Sequence, residues 1–174
     1  RSFITQLESI HVVYGGQVVR HPCEFNFPHN LKKLKLSKFR LPWSAVSTIG
    51  KLPNLEVLKL LHASFEGKTW DMKEEEFLKL KFLKLESLDI AHWNASEDHL
   101  PCLETLVVKK CYALIEIPLC LGDIPTLQRI ELQNCTRSAW ISARTVREKQ
   151  KEMANDQFEF TFKFEGSWRV PYEV

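Results

Sequence analysis

The stretch LEVLKL at residues 55–60 contains the pattern of apolar residues that decides the fold. Leucine occupies its first, fourth and sixth positions. Because successive side chains of a β-strand point to opposite faces, Leu58 and Leu60 would point inward together and Lys59 outward. A single strand cannot bury its own apolar face, so the pattern predicts neighbouring strands of the same kind.

The same L-x-x-L-x-L pattern recurs along the chain, with first leucines at positions 7, 31, 55, 80, 103 and 127 and steps of 23 to 25 residues. A period near 24 residues is typical of leucine-rich repeats. We therefore expect an α/β leucine-rich-repeat solenoid, or horseshoe, with a parallel concave sheet and an irregular convex side. The apolar positions of the six copies are Leu7, Ile10 and Val12; Leu31, Leu34 and Leu36; Leu55, Leu58 and Leu60; Leu80, Leu83 and Leu85; Leu103, Leu106 and Val108; Leu127, Ile130 and Leu132.

The fourth copy can be aligned in two ways, because Leu85, Leu88 and Ile90 also match the pattern. We prefer the copy that starts at Leu80, since it keeps the spacing and since residues 77–85 parallel residues 52–60. On the return path between strands, residues 70–79 (WDMKEEEFLK) predict a short helix, with the acidic residues 74–76 in its first turns.

Two features concern the later copies and the end of the chain. Cys111 and Cys135 each stand eight residues after a first leucine, where we expect buried structural thiols. Beyond them, residues 142–153 predict an amphipathic helix with Ala143, Val146 and Met153 on one side. Alternating phenylalanines at residues 158–164 predict a strand. We therefore assign residues 1–137 to about six repeats, the first incomplete, and residues 138–174 to a C-terminal helix-strand cap, with an interaction tail as the alternative.

Composition narrows the class of protein. A net charge of +2 gives no reason to expect nucleic-acid binding, and no apolar run reaches the 18 to 20 residues or so that span a membrane. The five cysteines are an odd number without C-x-x-C spacing, which favours reduced thiols in the cytoplasm. No nucleophile, zinc-protease or phosphate-loop motif occurs, so we expect a binding module and not an enzyme.

Several segments resemble a known family. Residues 111–118 (CYALIEIP) have the form C-x-x-L-x-x-I-P and continue into GDIPTL at residues 122–127. Together with residues 55–70 (LEVLKLLHASFEGKTW) and 93–98 (WNASED), they resemble the leucine-rich-repeat region of plant nucleotide-binding immune receptors of the coiled-coil class. The likeness is to the late-blight-resistance type of the nightshade group, and it covers most of residues 50–155.

The resemblance implies intracellular sensing of pathogen effectors in plant defence, and restraint of the receptor's nucleotide-binding module. Binding of ADP or ATP would belong to that module, upstream of Arg1, because this chain lacks the G-x-x-x-x-G-K-[ST] loop. We therefore expect no cofactor here. Two alternatives stay open: the substrate-recognition repeats of an F-box-type ubiquitin-ligase adaptor, and a secreted receptor ectodomain.

The outward positions of the strands predict where a protein partner would bind. Lys35, Lys59 and Lys84 share the central outward position, which favours an acidic surface on a pathogen effector or on the receptor's own nucleotide-binding module. A row of solvated lysines without a partner is the alternative. The other residues assigned to this concave face are Val57, Leu61, Phe82, Lys109 and Arg129.

Overall fold

The computed structural model describes residues 8–13 and 26–164. Within them, seven strands form one sheet and two pairs of short strands lie outside it. In chain order the elements are β1 (Ser9–Val13), β2 (Lys33–Ser37), β3 (Arg40–Pro42), α1 (Trp43–Gly50), β4 (Val57–Leu61), β5 (Ser64–Glu66), β6 (Thr69–Asp71), β7 (Phe82–Glu86), β8 (His92–Asn94), β9 (Thr105–Lys109), a 3-10 helix (Leu119–Asp123), β10 (Arg129–Gln133), α2 (Arg137–Glu152) and β11 (Glu159–Lys163).

The large sheet has the order β1-β2-β4-β7-β9-β10-β11, and every neighbouring pair of strands is parallel. The expected α/β class with a parallel sheet is therefore confirmed. Each copy of the L-x-x-L-x-L pattern supplies one strand, although Leu7 of the first copy lies outside the described residues. Leu83 pairs in register with Leu58, and Leu85 with Leu60, which confirms the alignment of the fourth copy from Leu80.

The core lies on one face of this sheet. Leu58, Leu60, Leu83 and Leu85 are completely buried there, as their alternation in the sequence predicts. Full burial of one such side chain stabilises the fold by roughly 1.5–3 kcal/mol. The predicted structural thiols Cys111 and Cys135 are also buried and both are free.

In the large sheet, a residue with left-handed backbone follows each of five strands: β2, β4, β7, β9 and β10. Its φ lies between 50° at His62 and 59° at Lys38. Its N–H donates to a carbonyl of the next strand over 2.8–3.1 Å, as in the bond from Lys110 to Gln133. Left-handed backbone strains a residue with a Cβ atom, and asparagine accepts it better than most. Because only Asn134 has such a side chain, the sequence carries little sign of these turns; the positions are Lys38, His62, Ser87, Lys110 and Asn134.

The predicted helix over residues 70–79 is wrong. Residues 69–71 form β6, which pairs with β8, and the following residues are turns. Glu75 and Phe77 have φ values of 61° and 54°, which a right-handed helix excludes. The acidic run that suggested a helix N-terminus instead buries Glu76, whose carboxylate accepts hydrogen bonds from the Ser47 hydroxyl and the Lys73 N–H.

The helix of this region lies earlier, at α1, where the sequence had not indicated one. Trp43 at its start belongs to a stack of aromatic rings on the return side. The Trp70 ring lies 5.4 Å from that of Trp43 and 5.2 Å from that of Trp93, with interplanar angles of 9° and 8°. The ring of Phe65 continues the stack 3.7 Å beyond Trp43. Aromatic stacking, and not helix propensity, therefore organises residues 43–94.

The C-terminal helix and strand are confirmed, with two corrections. Helix α2 begins at Arg137, five residues earlier than expected, because the Thr136 side chain caps it by accepting from the Ala139 N–H at 3.0 Å. Ala143 and Val146 are buried as expected, but Met153 is 42% exposed because the helix has ended before it. Strand β11 pairs in parallel with β10 and extends the sheet.

Candidate protein-binding face

The register of the large sheet aligns its outward side chains in columns. The central column contains Lys35, Lys59 and Lys84 on adjacent strands, followed by Val107 and Glu131. Parallel strands lie about 4.8 Å apart, so unscreened lysines in this arrangement would repel one another. The geometry expected for the three lysines is therefore present, and their surroundings decide what they can do.

The three lysines have different neighbours. Lys84 Nζ lies 3.8 Å from a carboxylate oxygen of Glu86, which partly neutralises it. Lys59 Nζ lies 5.5 Å from the centre of the Phe82 ring, a cation–π contact that leaves its charge uncompensated. Lys35 makes no ion pair with any described residue. The basic character is therefore concentrated at Lys35 and Lys59.

The apolar patch expected beside the lysines is smaller than the sequence suggested. Val57 and Phe82 are half-buried and offer part of their surface. Leu61 is only 7% exposed, and its register neighbour Ser37 is 8% exposed. A partner therefore cannot contact these two residues at the C-terminal ends of β2 and β4. Leu61 is therefore covered by its neighbours and offers almost no surface to a partner, so its assignment to the binding face is wrong.

The two remaining basic residues of the predicted face share one carboxylate. Lys109 Nζ lies 3.8 Å from one carboxylate oxygen of Glu131, and an Arg129 guanidinium nitrogen lies 2.8 Å from the other. These side chains are partly exposed, so each pair contributes little to stability. They do reduce the positive charge at the β9–β10 end of the face, because Glu131 offsets one of the two cations.

A depression of about 160 Å³ lies at the opposite end of the face, across β1, β2 and β4. No carboxylate is among its lining residues, so the local charge is positive. The outward pattern places His11 in the central column and Lys33 in the column with Val57, and the register confirms both positions, although neither was among the predicted binding residues. The depression is lined by Ser9, Ile10, His11, Lys33, Leu34, Lys35, Val57 and Lys59.

No cysteine of the described residues lines this depression. Burial raises the pKa of the Cys111 thiol to about 12, which leaves almost no thiolate at neutral pH. Burial also raises the pKa of Cys135 and of Cys120. Across residues 8–13 and 26–164, no three His, Cys, Asp or Glu side chains are grouped as a metal ion would require, and no helix is long and apolar enough to cross a bilayer.

Comparison with known proteins gives the family context. No protein-family model matches the chain. The late blight resistance protein homologs R1A-4 and R1B-16 of Solanum demissum are each 43% identical to it over 125 residues, and homolog R1B-23 is 42% identical. The chain is a relative of the late blight resistance proteins. The predicted resemblance is therefore confirmed.

The match covers 71% of the chain but only 10% of each of these three relatives. The chain thus spans about a tenth of the length of the late blight resistance proteins it resembles. Their names refer to disease resistance and carry no reference to a ubiquitin ligase, so the F-box alternative gains no support.

Proposed function

We propose that the chain is part of the leucine-rich-repeat solenoid of an intracellular plant immune receptor. Its concave sheet would bind protein, either a pathogen effector or the receptor's own nucleotide-binding module, and it would restrain that module before infection. The kinship with late blight resistance proteins supports the plant-defence role. Catalysis is not part of the proposal, and ADP or ATP would bind to the nucleotide-binding module and not to this chain.

The dimensions of the two sides support a horseshoe. Strands of the sheet are about 4.8 Å apart, whereas a packed helix occupies about 10 Å. The return path carries α1 and the 3-10 helix, which need more room per repeat than a strand does, together with two pairs of short strands that keep the strand spacing. A stack with a wider outer side bends with its sheet on the inside, which makes the sheet concave.

The contacts of α2 support the assignment of residues 138–174 to a C-terminal cap. The buried Gln150 amide donates to the backbone carbonyls of Leu121 at 3.0 Å and Ile124 at 2.9 Å. The Ser142 hydroxyl accepts from the Ile117 N–H at 3.0 Å. These bonds satisfy backbone groups of the last return segment, which has no following repeat to pair with. The Trp140 ring adds apolar cover, 5.9 Å from that of Phe162.

The basic depression across β1, β2 and β4 is the observation that carries the proposed binding mode. Lys35 and Lys59 face it, and no carboxylate lines it. An acidic side chain of a partner would pair there with the ammonium groups of Lys35 and Lys59. Electrostatic complementarity of this kind favours specific and fast association. The proposal therefore assigns the N-terminal part of the concave face to an acidic surface of the partner.

The double variant Lys35→Glu/Lys59→Glu tests this assignment in the receptor that carries the chain. We expect co-precipitation of the repeat region with the separately expressed nucleotide-binding module to fall at least tenfold, because two attractions become repulsions. Loss of restraint should also produce cell death in leaves without an effector. Lys51→Glu/Lys68→Glu, with two exposed lysines outside the large sheet, is the matched control and should change neither readout.

Thermal melts by circular dichroism check that both double variants remain folded. Unchanged co-precipitation, unchanged restraint and an unchanged effector response in Lys35→Glu/Lys59→Glu would reject the concave basic face as a contact. Equal losses of co-precipitation in the test and control variants would mean that the effect depends only on the net charge of the chain.

A further inference from the structure

A second recessed surface lies at the edge of the sheet where the strands end, apart from the concave basic face. Two depressions meet there, of about 460 Å³ and 340 Å³, and both include Ala63 and Ser87. Together they form one groove across the ends of β2, β4, β7 and β9. The remaining lining residues are Lys38, Phe39, Arg40, His62 and Ser64 on one side and Leu88, Asp89, Lys110, Tyr112 and Ala113 on the other.

The floor of this groove is apolar. Phe39, Ala63 and Leu88 lie in it with exposures of 6%, 5% and 4%. Tyr112 stands at one end with 68% of its surface exposed, which is unusual for a large aromatic residue. An exposed aromatic side chain beside an apolar floor is typical of surfaces that bind a protein segment.

The rim of the groove is basic. Lys38 and Arg40 flank one end and Lys110 the other, and none of the three has a carboxylate partner in the described part of the chain. His62 is different, since its Nε2 lies 3.6 Å from Glu86. The carboxylate in the groove, Asp89, already accepts from the Phe65 N–H at 3.2 Å. The local charge is therefore positive, and an acidic ligand would complement it.

The length of the groove limits the size of that ligand. Lys38 follows β2 and Lys110 follows β9, which are three strand spacings apart in the sheet. Three spacings amount to about 14 Å, the length of about four residues of extended chain. The left-handed turns fix the backbone at both ends of the groove, since the N–H groups of Lys38 and Lys110 are bonded to neighbouring strands.

We propose that this groove binds an extended acidic segment of a partner protein, with its carboxylates at Lys38, Arg40 and Lys110 and an apolar or aromatic side chain against Ala63 and Tyr112. The site is independent of the concave basic face, so one chain would hold two acidic surfaces at once. Such two-point attachment raises affinity without any new contact at either site.

A fluorescent pentapeptide, Asp-Glu-Phe-Asp-Glu with blocked ends, tests the groove on the 174-residue chain. Fluorescence anisotropy should show saturable binding that weakens at least tenfold in Lys38→Glu/Arg40→Glu/Lys110→Glu. Both left-handed positions keep an L side chain in this variant, so backbone strain is unchanged. The matched control Lys51→Glu/Lys68→Glu/Lys79→Glu carries the same change of charge outside the groove and should bind within twofold of the wild type.

Tyr112→Ala provides a test that does not alter charge. This exposed residue contributes little to folding, and its removal should weaken the peptide about threefold or more while the melting temperature stays the same. Amide NMR signals of Ala63 and Ser87 should shift on titration, and those of Lys35 and Lys59 should not.

Three results would overturn the proposal. One is the absence of binding at millimolar peptide in low salt, and another is an equal loss in the groove and control triple variants. The third is a shift of the NMR signals at Lys35 and Lys59 in place of those at the groove, which would assign acidic ligands to the concave face alone. The first two results would leave the proposed contact of the concave face untouched, whereas the third would support it.

Discussion

The large sheet and the return side bury their apolar side chains and pair their backbone groups in different ways. Every inward position of the sheet from β2 to β10 is a buried aliphatic residue, and adjacent strands satisfy one another's backbone. The return side has no uniform solution. Its early part, which consists of the segments between sheet strands within residues 39–94, uses short parallel strands and stacked aromatic rings. In its late part, residues 114–127, polar side chains of the C-terminal region donate hydrogen bonds to the backbone carbonyls.

This contrast indicates which substitutions should destabilise the fold most. In the sheet, one short pattern provides burial and pairing together, so any inward position should be equally sensitive. On the return side, sensitivity should be concentrated in a few residues: Trp70 in the early part and Gln150 in the late part. Three substitutions test this contrast, and they are given in order of decreasing loss of stability.

Leu58→Arg tests the inward face of the sheet. Leu58 is fully buried, so a guanidinium there would have neither water nor a carboxylate partner. We expect a loss of more than about 5 kcal/mol, comparable to the whole stability of a small domain. The cooperative melt in circular dichroism should disappear. A melt close to that of the wild type would mean that the strand register is wrong.

Trp70→Ala tests the aromatic stack. Trp70 is 2% exposed and lies between Trp43 and Trp93, so its removal leaves a large cavity and deletes two stacked contacts. We expect a loss of about 3–5 kcal/mol. Urea unfolding measures it, and Trp70→Phe serves as a control that should lose clearly less. A loss below about 1 kcal/mol for Trp70→Ala would show that the stack does not organise the early return side.

Gln150→Leu tests the polar attachment of α2. The substitution keeps an apolar stem of similar size but removes the side-chain donor of the Leu121 and Ile124 carbonyls, each of which keeps one backbone N–H donor. It also removes the oxygen that accepts from the Asn155 amide. Since each hydrogen bond lost costs about 0.5–1.5 kcal/mol, we expect a net loss of about 2 kcal/mol in urea unfolding. The exposed Thr145 on the same helix gives a control, Thr145→Ala, which should change stability by less than about 0.5 kcal/mol. Equal effects of the two substitutions would contradict the cap.

The sequence predicted the sheet far better than the return side, and the reason is physical. A strand position is decided by its alternation and its repeat, and both are readable in LEVLKL. The return segments depend on contacts between residues more than twenty positions apart, such as Trp70 with Trp93. The acidic run after Trp70 has the local appearance of a helix start, but tertiary stacking overrides that propensity.

The candidate face was predictable only in part. The outward position of Lys35, Lys59 and Lys84 follows from the alternation, and the register confirms it. The ion pairs within the face could not be predicted from the repeat, because they join residues of different outward columns. Glu86 pairs with Lys84, and Glu131 pairs with Lys109 and Arg129. The burial of Leu61 was missed for a similar reason, since a strand pattern does not show where the outward face closes.

The most direct test compares two neighbours on one strand, Leu58→Arg and Lys59→Glu, in the receptor that we propose carries the chain. Each variant would be scored for its melt and for co-precipitation with the proposed nucleotide-binding module. We expect Leu58→Arg to abolish the folded state. We expect Lys59→Glu to leave the melt unchanged and to weaken co-precipitation severalfold. A folded Leu58→Arg chain, or a Lys59→Glu chain that binds as the wild type does, would contradict the claim that inward positions carry the fold and outward positions the partner.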